Sequence, residues 1–167
     1  MSKPEDLKDL YTDELKDLWS ANDQMAKIVK KLTPKASDKA LKDMLTKCNE
    51  GIQGHTDLLK ELIAGQDEKV SKEHCKGMEG LVAEATKHTT EEAPDKGPVL
   101  DAVIITQLQR MTHYGIAGFG TAAAFAAALK LKPDAAKLKA AVKDMYGSDD
   151  FLSKLAETAV NISAETA

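Results

Sequence analysis

At 167 residues, with 43% hydrophobic and 30% charged side chains, the chain has the length of one domain with a true core. Aromatic residues make up only 4% and the net charge is -4 with the signs well mixed, which argues against a sheet-rich fold and excludes a basic nucleic-acid surface. Two cysteines, Cys48 and Cys75, do not make a disulfide framework, and the opening MSKPEDLKDL lacks the apolar stretch of a secretion signal, so a cytoplasmic location is expected.

The first predicted helix runs from Pro4 to Leu32. Ser2 with Glu5 reads as a capping box, and Pro4 suits the first turn. Its apolar seam is Leu7, Tyr11, Leu15, Leu18, Met25, Val29 and Leu32, in steps of three and four. Asn22 is the single polar residue on that seam. Thr33-Pro34 makes a short turn, and Ser37 can cap the second helix. That helix carries Leu41, Leu45, Cys48, Ile52, His55, Leu59 and Leu62 and ends at Ala64-Gly65, where glycine is expected to supply a left-handed cap. Gln66–Lys72 is a polar linker. A shorter helix over Ser71–His88 presents Cys75, Met78, Leu81, Val82 and Ala85. The acidic segment Thr89–Gly97 reads as a flexible loop.

Pro98 opens the long central helix, through Leu131. Its stretch Gln107–Leu131 has no acidic residue, and no charge lies between Arg110 and Lys130. An all-round apolar helix of this kind is expected to be buried by its neighbours. Its length would span a bilayer, but its Gly, Ala, Thr, His and Tyr content is too weakly hydrophobic for that, and no membrane association is expected. Lys132-Pro133-Asp134 starts the last helix, with Leu138, Val142, Met145, Asp149, Leu152 and Ala156 on its seam. Gly147-Ser148 is expected to bend it. The pattern predicts one all-α domain over residues 1–167: a four-helix bundle with a short extra helix in the middle connection.

Four stretches carry a resemblance: ELKDLWSANDQM (Glu14–Met25), CKGMEGLVAEA (Cys75–Ala85), MTHYGIAGFGT (Met111–Thr121) and LSKLA (Leu152–Ala156). Together they resemble the YciE/YciF family of bacterial stress-associated ferritin-like proteins, along nearly the whole chain. The resemblance implies a ferritin-like bundle, a homodimer, and a carboxylate-bridged di-iron site between the helices. Carried across motif by motif, it places Asn22 where the first helix has glutamate. It puts Glu50-Gly-Ile-Gln53 at the ligand pair of the second helix, and Thr112-His113-Tyr114-Gly115 where the family has Glu-His-Tyr-Glu. Met145 stands at an acidic position of the last helix, and Asp149 remains acidic. Asn22, Gln53, Thr112, Gly115 and Met145 are thus expected to be vacated di-iron positions. Glu50, His55 and Asp149 are the remaining weak candidates for a metal, and no catalytic residue is assigned.

The first expectation is therefore a stress-associated bundle without its di-iron cofactor, acting as a structural or interaction module. A metal-dependent oxidase using His55, His113, Glu50, Asp144 and Asp149 is one alternative. Small-molecule binding in a vacated pocket lined by Trp19, Thr112, Gly115, Phe119 and Met145 is the other. For the individual residues, simpler roles compete: Asn22 as a register-fixing polar group, His55 and His113 as hydrogen-bonded structural histidines, Asp150 as a solvated charge. His74-Cys75 lacks a second ligand pair for zinc. The methionines read as core filler, and Ala117, Thr121, Ala124 and Ala128 as a face for close helix packing or self-association.

Overall fold

The computed structural model describes residues 3–66 and 69–167. All of its regular elements are helical: α1 (Leu7–Leu32), α2 (Lys39–Ala64), α3 (Lys76–Thr86), α4 (Pro98–Ala128), α5 (Lys132–Leu155) and a short α6 (Asn161–Glu165). Single π-helical turns follow α3 (Lys87–Glu91) and α5 (Ala156–Val160).

The four long helices form the bundle, and their hydrogen bonds and ion pairs show how they run. Short turns make α1–α2 and α4–α5 antiparallel hairpins. Ser37 and Asp38, between α1 and α2, donate their backbone N–H groups to the two oxygens of Asp101 in the first turn of α4, each at 2.8 Å. At the opposite end, Tyr11 of α1 donates to Asp134 of α5 at 3.1 Å. Lys137 pairs with Glu61, so α5 runs back along α2. Every neighbouring pair in the ring α1, α2, α5, α4 is therefore antiparallel. The long connection through α3 achieves this by returning the chain to the end at which α2 began, which is the ferritin-like arrangement.

Local chemistry corrects several sequence-based boundaries. Asp6 caps α1, accepting from Lys8 and Asp9; the Ser2 cap lies outside the described residues. Asp38, not Ser37, caps α2. The Ser37 hydroxyl instead accepts from Gly97 just before α4. Gly65 keeps a right-handed φ of -69°, because its N–H still bonds within the helix to Glu61. Positive φ falls instead at Lys130, 63°, in the tight α4–α5 turn, and at Gly97, 109°, just before α4. Helix α3 starts at Lys76, and α5 passes Gly147-Ser148 without a break. The acidic loop is tied at both ends to the α1–α2 turn, by Lys35 to the Thr89 carbonyl and by Gly97 to Ser37.

The central helix is buried on one side only. Leu108, Met111, Ile116, Phe119, Ala122, Ala123 and Ala126 point inward, whereas His113, Ala117, Thr121, Ala124 and Ala128 are exposed. Its neighbours come unusually close. A Cβ on Gly118 would lie 2.5 Å from Leu18 Cδ2 of α1 and 3.0 Å from Glu14 Oε1. One on Gly115 would lie 2.9 Å from the Met145 sulfur of α5. One on Gly77 of α3 would lie 2.7 Å from the Tyr114 ring. Gly120, by contrast, has open space beside it.

These contacts set opposite expectations for two glycines two residues apart. Gly118→Leu should lower stability by about 1–3 kcal/mol through overpacking. Gly120→Ala should raise it by about 0.5–1 kcal/mol through helix propensity and unfolded-chain entropy. Thermal and urea unfolding of the two variants checks both signs.

Candidate functional site

The hydrophobic core is divided in two. One half gathers the end of α1, the start of α2, α3, the start of α4 and the end of α5. The other gathers the opposite ends of the four long helices. Between them, at mid-bundle, lies a cavity of about 270 Å³.

Each long helix supplies one face of its wall. From α1 come Leu18, Ala21, Asn22 and Met25; from α2, Lys47, Cys48, Gly51, Ile52 and His55. From α4 come Met111, Thr112 and Gly115; from α5, Asp144, Met145 and Ser148, with Met78 of α3 closing one side. The helical repeat explains why these residues meet. On α2, Cys48, Ile52 and His55 follow the inward seam.

That repeat also decides which sequence-based candidates fail to arrive. Residues 50 and 53 are displaced by one to two hundred degrees around α2 from Ile52, at about 100° per residue. Glu50 accordingly faces an outer groove beside Lys30 and Lys42, and Gln53 is exposed and donates to Asp57 at 3.1 Å. Asp149 turns toward α4, where Gln109 and His113 each reach it at 3.0 Å. Trp19 lies on the outer side of α1 beneath the ammonium groups of Lys60 and Lys72, at 5.3 and 5.9 Å. Phe119 is fully buried behind the wall, its ring 5.6 Å from that of His55. Asn22, Thr112, Gly115, Met145 and His55 do line the cavity. Sequence reasoning put Cys48 and Ile52 on the α2 seam and Asp144 in the alternative ligand set, and missed Gly51 and Ser148 as wall residues. The signal was present in the Cys48–Ile52–His55 seam and in the three-residue step from Met145 to Ser148.

The cavity holds little charge. Asp144 is the nearest carboxylate, 3.8 Å from His55 Nε2, and its side chain is 75% exposed at the mouth. Burial lowers the His55 pKa, against the opposing pull of Asp144. Burial also pushes the Cys48 thiol up to about 11, partly offset by the Ser148 hydroxyl, so no thiolate forms near neutral pH. Asn22 is only 7% exposed, and its Nδ2 has no hydrogen-bond partner. Among the described residues, no group of three or more His, Cys, Asp or Glu side chains is gathered to hold a metal ion.

A second polar cluster lies between α1, α3 and α4. Tyr114 donates to Asp17 at 3.1 Å. Its only proton is then committed, so the Cys75 thiol, 2.9 Å away, donates to the phenol oxygen. Cys75 also receives Met78 N–H as the cap of α3, while its own N–H reaches Ser20 and its carbonyl accepts from Gln24. Burial, the Cys75 thiol and Asp17 all hold the Tyr114 phenol well above its usual range. This cluster pins the crossover to the bundle and gives Cys75 a structural use. His74 is exposed beside Glu79, away from it.

The lowered His55 pKa makes stability depend on pH. The unfolded imidazole titrates near 6.5 and the folded one below that. Between the two values the unfolded chain binds the extra proton, so stability is complete above 6.5 and is lost as pH falls through the folded value. The urea midpoint should therefore drop more between pH 7 and pH 5 in the wild type than in His55→Gln. Equal drops would remove His55 as the source.

Residues 6–165 match the family described as a domain of unknown function, DUF892. Protein YciF of Escherichia coli (strain K12) is 29% identical over 160 residues, covering 95% of each chain. The crystal structure of the E. coli stress protein YciF shares the fold with a TM-score of 0.86, at 28% identity, over 95% of this chain and 99% of that one. YcfI of Rhodopseudomonas palustris does so with a TM-score of 0.85, at 27% identity, over 92% and 97%. With the helix order and this end-to-end match agreeing, the chain belongs to the DUF892 family and is a YciF-like helical bundle protein.

Proposed function

We propose that this protein is a stress-associated cytoplasmic bundle that has lost di-iron redox chemistry and serves as a structural and interaction module. The composition of the mid-bundle wall carries the reading. A bridged di-iron centre in such a fold takes glutamate from two helices and a Glu-x-x-His pair from each of the other two. At the corresponding level this chain offers Asn22, Ile52 with His55, Thr112 with Gly115, and Met145 with Ser148. Of these, His55 is the one side chain of the required kind, with Asp144 3.8 Å from it at the exposed mouth. An amide, a hydroxyl and a thioether neither bridge two irons nor balance their charge. These residues do not fit the metal pair.

An oxidase with a rearranged ligand set has no geometric support. Its members divide among three places: Glu50 outside α2, His55 with Asp144 at the cavity mouth, and His113 with Asp149 on the α4–α5 face. The interaction role draws support from the outer strip of α4. Ala117, Thr121, Ala124 and Ala128 are exposed on a stretch with no charge between Arg110 and Lys130. Small side chains there permit close approach of another helix, and a second copy of the chain is the partner we assign. No described helix is long and apolar enough to cross a membrane.

Two measurements test this reading. After anaerobic ferrous loading and desalting, the wild type should retain far less than one iron per subunit. A variant carrying Asn22→Glu, Ile52→Glu, Thr112→Glu, Met145→Glu and Ser148→His, with His55 kept, should retain two; two irons in the wild type would overturn the proposal. Light scattering should find a wild-type dimer and a monomeric Ala124→Arg variant with unchanged far-ultraviolet dichroism. A wild-type monomer would exclude the α4 strip as a self-association face.

A further inference from the structure

We propose that the mid-bundle cavity takes the apolar tail of a single-chain amphiphile, inserted through the open seam between α2 and α5, with an uncharged hydroxyl or amide head group left at the mouth between Lys47 and Asp144. The inference rests on the reading that the core is not a di-iron centre, and it names what the space accepts instead.

Packing decides where the cavity opens. Toward α1, α3 and α4 it is closed by Leu18, Met78 and Met111, which are almost completely buried. Along α2 and α5, Cys48, His55, Met145 and Ser148 keep part of their surface open. Gly51 contributes no side chain, and a Cβ there would meet nothing within 4 Å. The α2–α5 seam is thus the way in. Lys47, Asp144 and Ser148 border both the cavity and an outer groove along that seam.

Volume and lining define the tail. The cavity is about 270 Å³. An apolar cavity of about 150 Å³ takes one benzene ring, about 25 Å³ per carbon, so this one holds roughly ten carbons. Met25, Ile52 and Met145 stand around it from three helices, and methionine adapts to a chain without a fixed shape. Burial keeps the two titratable groups of the wall, His55 and Cys48, uncharged near neutral pH, so the tail meets no ion inside. The mouth defines the head. Lys47 and Asp144 stand there exposed on neighbouring helices, and among the described residues no ion pair closes them on each other. A charged head of either sign meets one attraction and one repulsion. A hydroxyl or primary amide donates to the carboxylate and accepts from the ammonium.

The test titrates the full chain, labelled with ¹³C at the methionine methyls, with 1-hexanol, 1-octanol, 1-decanol and 1-dodecanol. Met25 and Met145, on diagonally opposite helices, should both shift. Affinity should rise about fourfold per methylene up to decanol and then stop, because the tail has filled the space. Decanol should bind at least about twofold tighter than decanoate or decylamine. Asp144→Lys should strengthen decanoate and weaken decylamine by about two- to fivefold, the size of an exposed ion pair, and Lys47→Glu should do the reverse. Gly51→Phe should block decanol, whereas Gly54→Phe, in equally open space three residues further along α2, should bind it like the wild type. The proposal is overturned if the two methyls stay still up to the solubility limit, or if either ion outbinds decanol. An affinity that does not rise from hexanol to decanol, or climbs unchanged into dodecanol, overturns it too. So do charge reversals without effect, or equal binding by the two phenylalanine variants. Iron loading of the same preparation separates the two readings: stoichiometric iron sinks the loss of the metal centre, whereas an iron-free core that ignores decanol sinks only the pocket.

Discussion

Close approach to α4 is the constraint on which this bundle depends. At one level of the molecule three glycine positions let neighbouring helices touch backbone to side chain. Leu18 of α1 lies over Gly118, Met145 of α5 lies over Gly115, and Tyr114 of α4 lies over Gly77 of α3. Interiors packed this tightly do not absorb an added methyl group without movement. The register of α1, α3 and α5 against α4 is therefore set together. Asp101 adds a polar tie, since one buried carboxylate receives two backbone N–H groups of the α1–α2 turn.

The same packing explains why the middle of the core is hollow. Gly51 removes volume on α2, while Asn22, Thr112 and Ser148 contribute short polar side chains. The apolar residues above and below form separate clusters rather than one continuous core. A layer of short side chains forfeits dispersion contacts between facing helices, and an unpaired amide forfeits a hydrogen bond. Both costs are borne at a level where a bundle of this kind can place its chemistry between facing helices. The scaffold is held by the outer ties at Asp101, Cys75–Tyr114 and Tyr11–Asp134, so the middle is free to change composition.

The stretches around Cys75 and Tyr114 have a physical use in this chain. Cys75 and Tyr114 lie 39 residues apart in sequence and meet at 2.9 Å, with Gly77 making room for the ring. Their contact seats the crossover helix on α1 and α4, and that crossover is what makes all four bundle neighbours antiparallel.

Much of this was readable in the chain itself. The steps of three and four along α1, α2 and α5 determined those three helices and their inward seams, because an amphipathic helix must bury its apolar stripe. The Asn22 position on the α1 seam and the His55 position on the α2 seam followed from the same count. The sequence alone could not decide which side of α4 stays open, since an apolar stretch has no stripe to orient it. Motif matching favoured Glu50 and Gln53, whereas the Cys48–Ile52–His55 seam already set Glu50 off the inward face, because one residue turns the side chain by about 100°. The pairing of Asp149 with Gln109 and His113, and the orphaned amide of Asn22, were decided by tertiary structure. Hydrogen-bond partners come from other helices, and their positions are fixed only when the bundle closes.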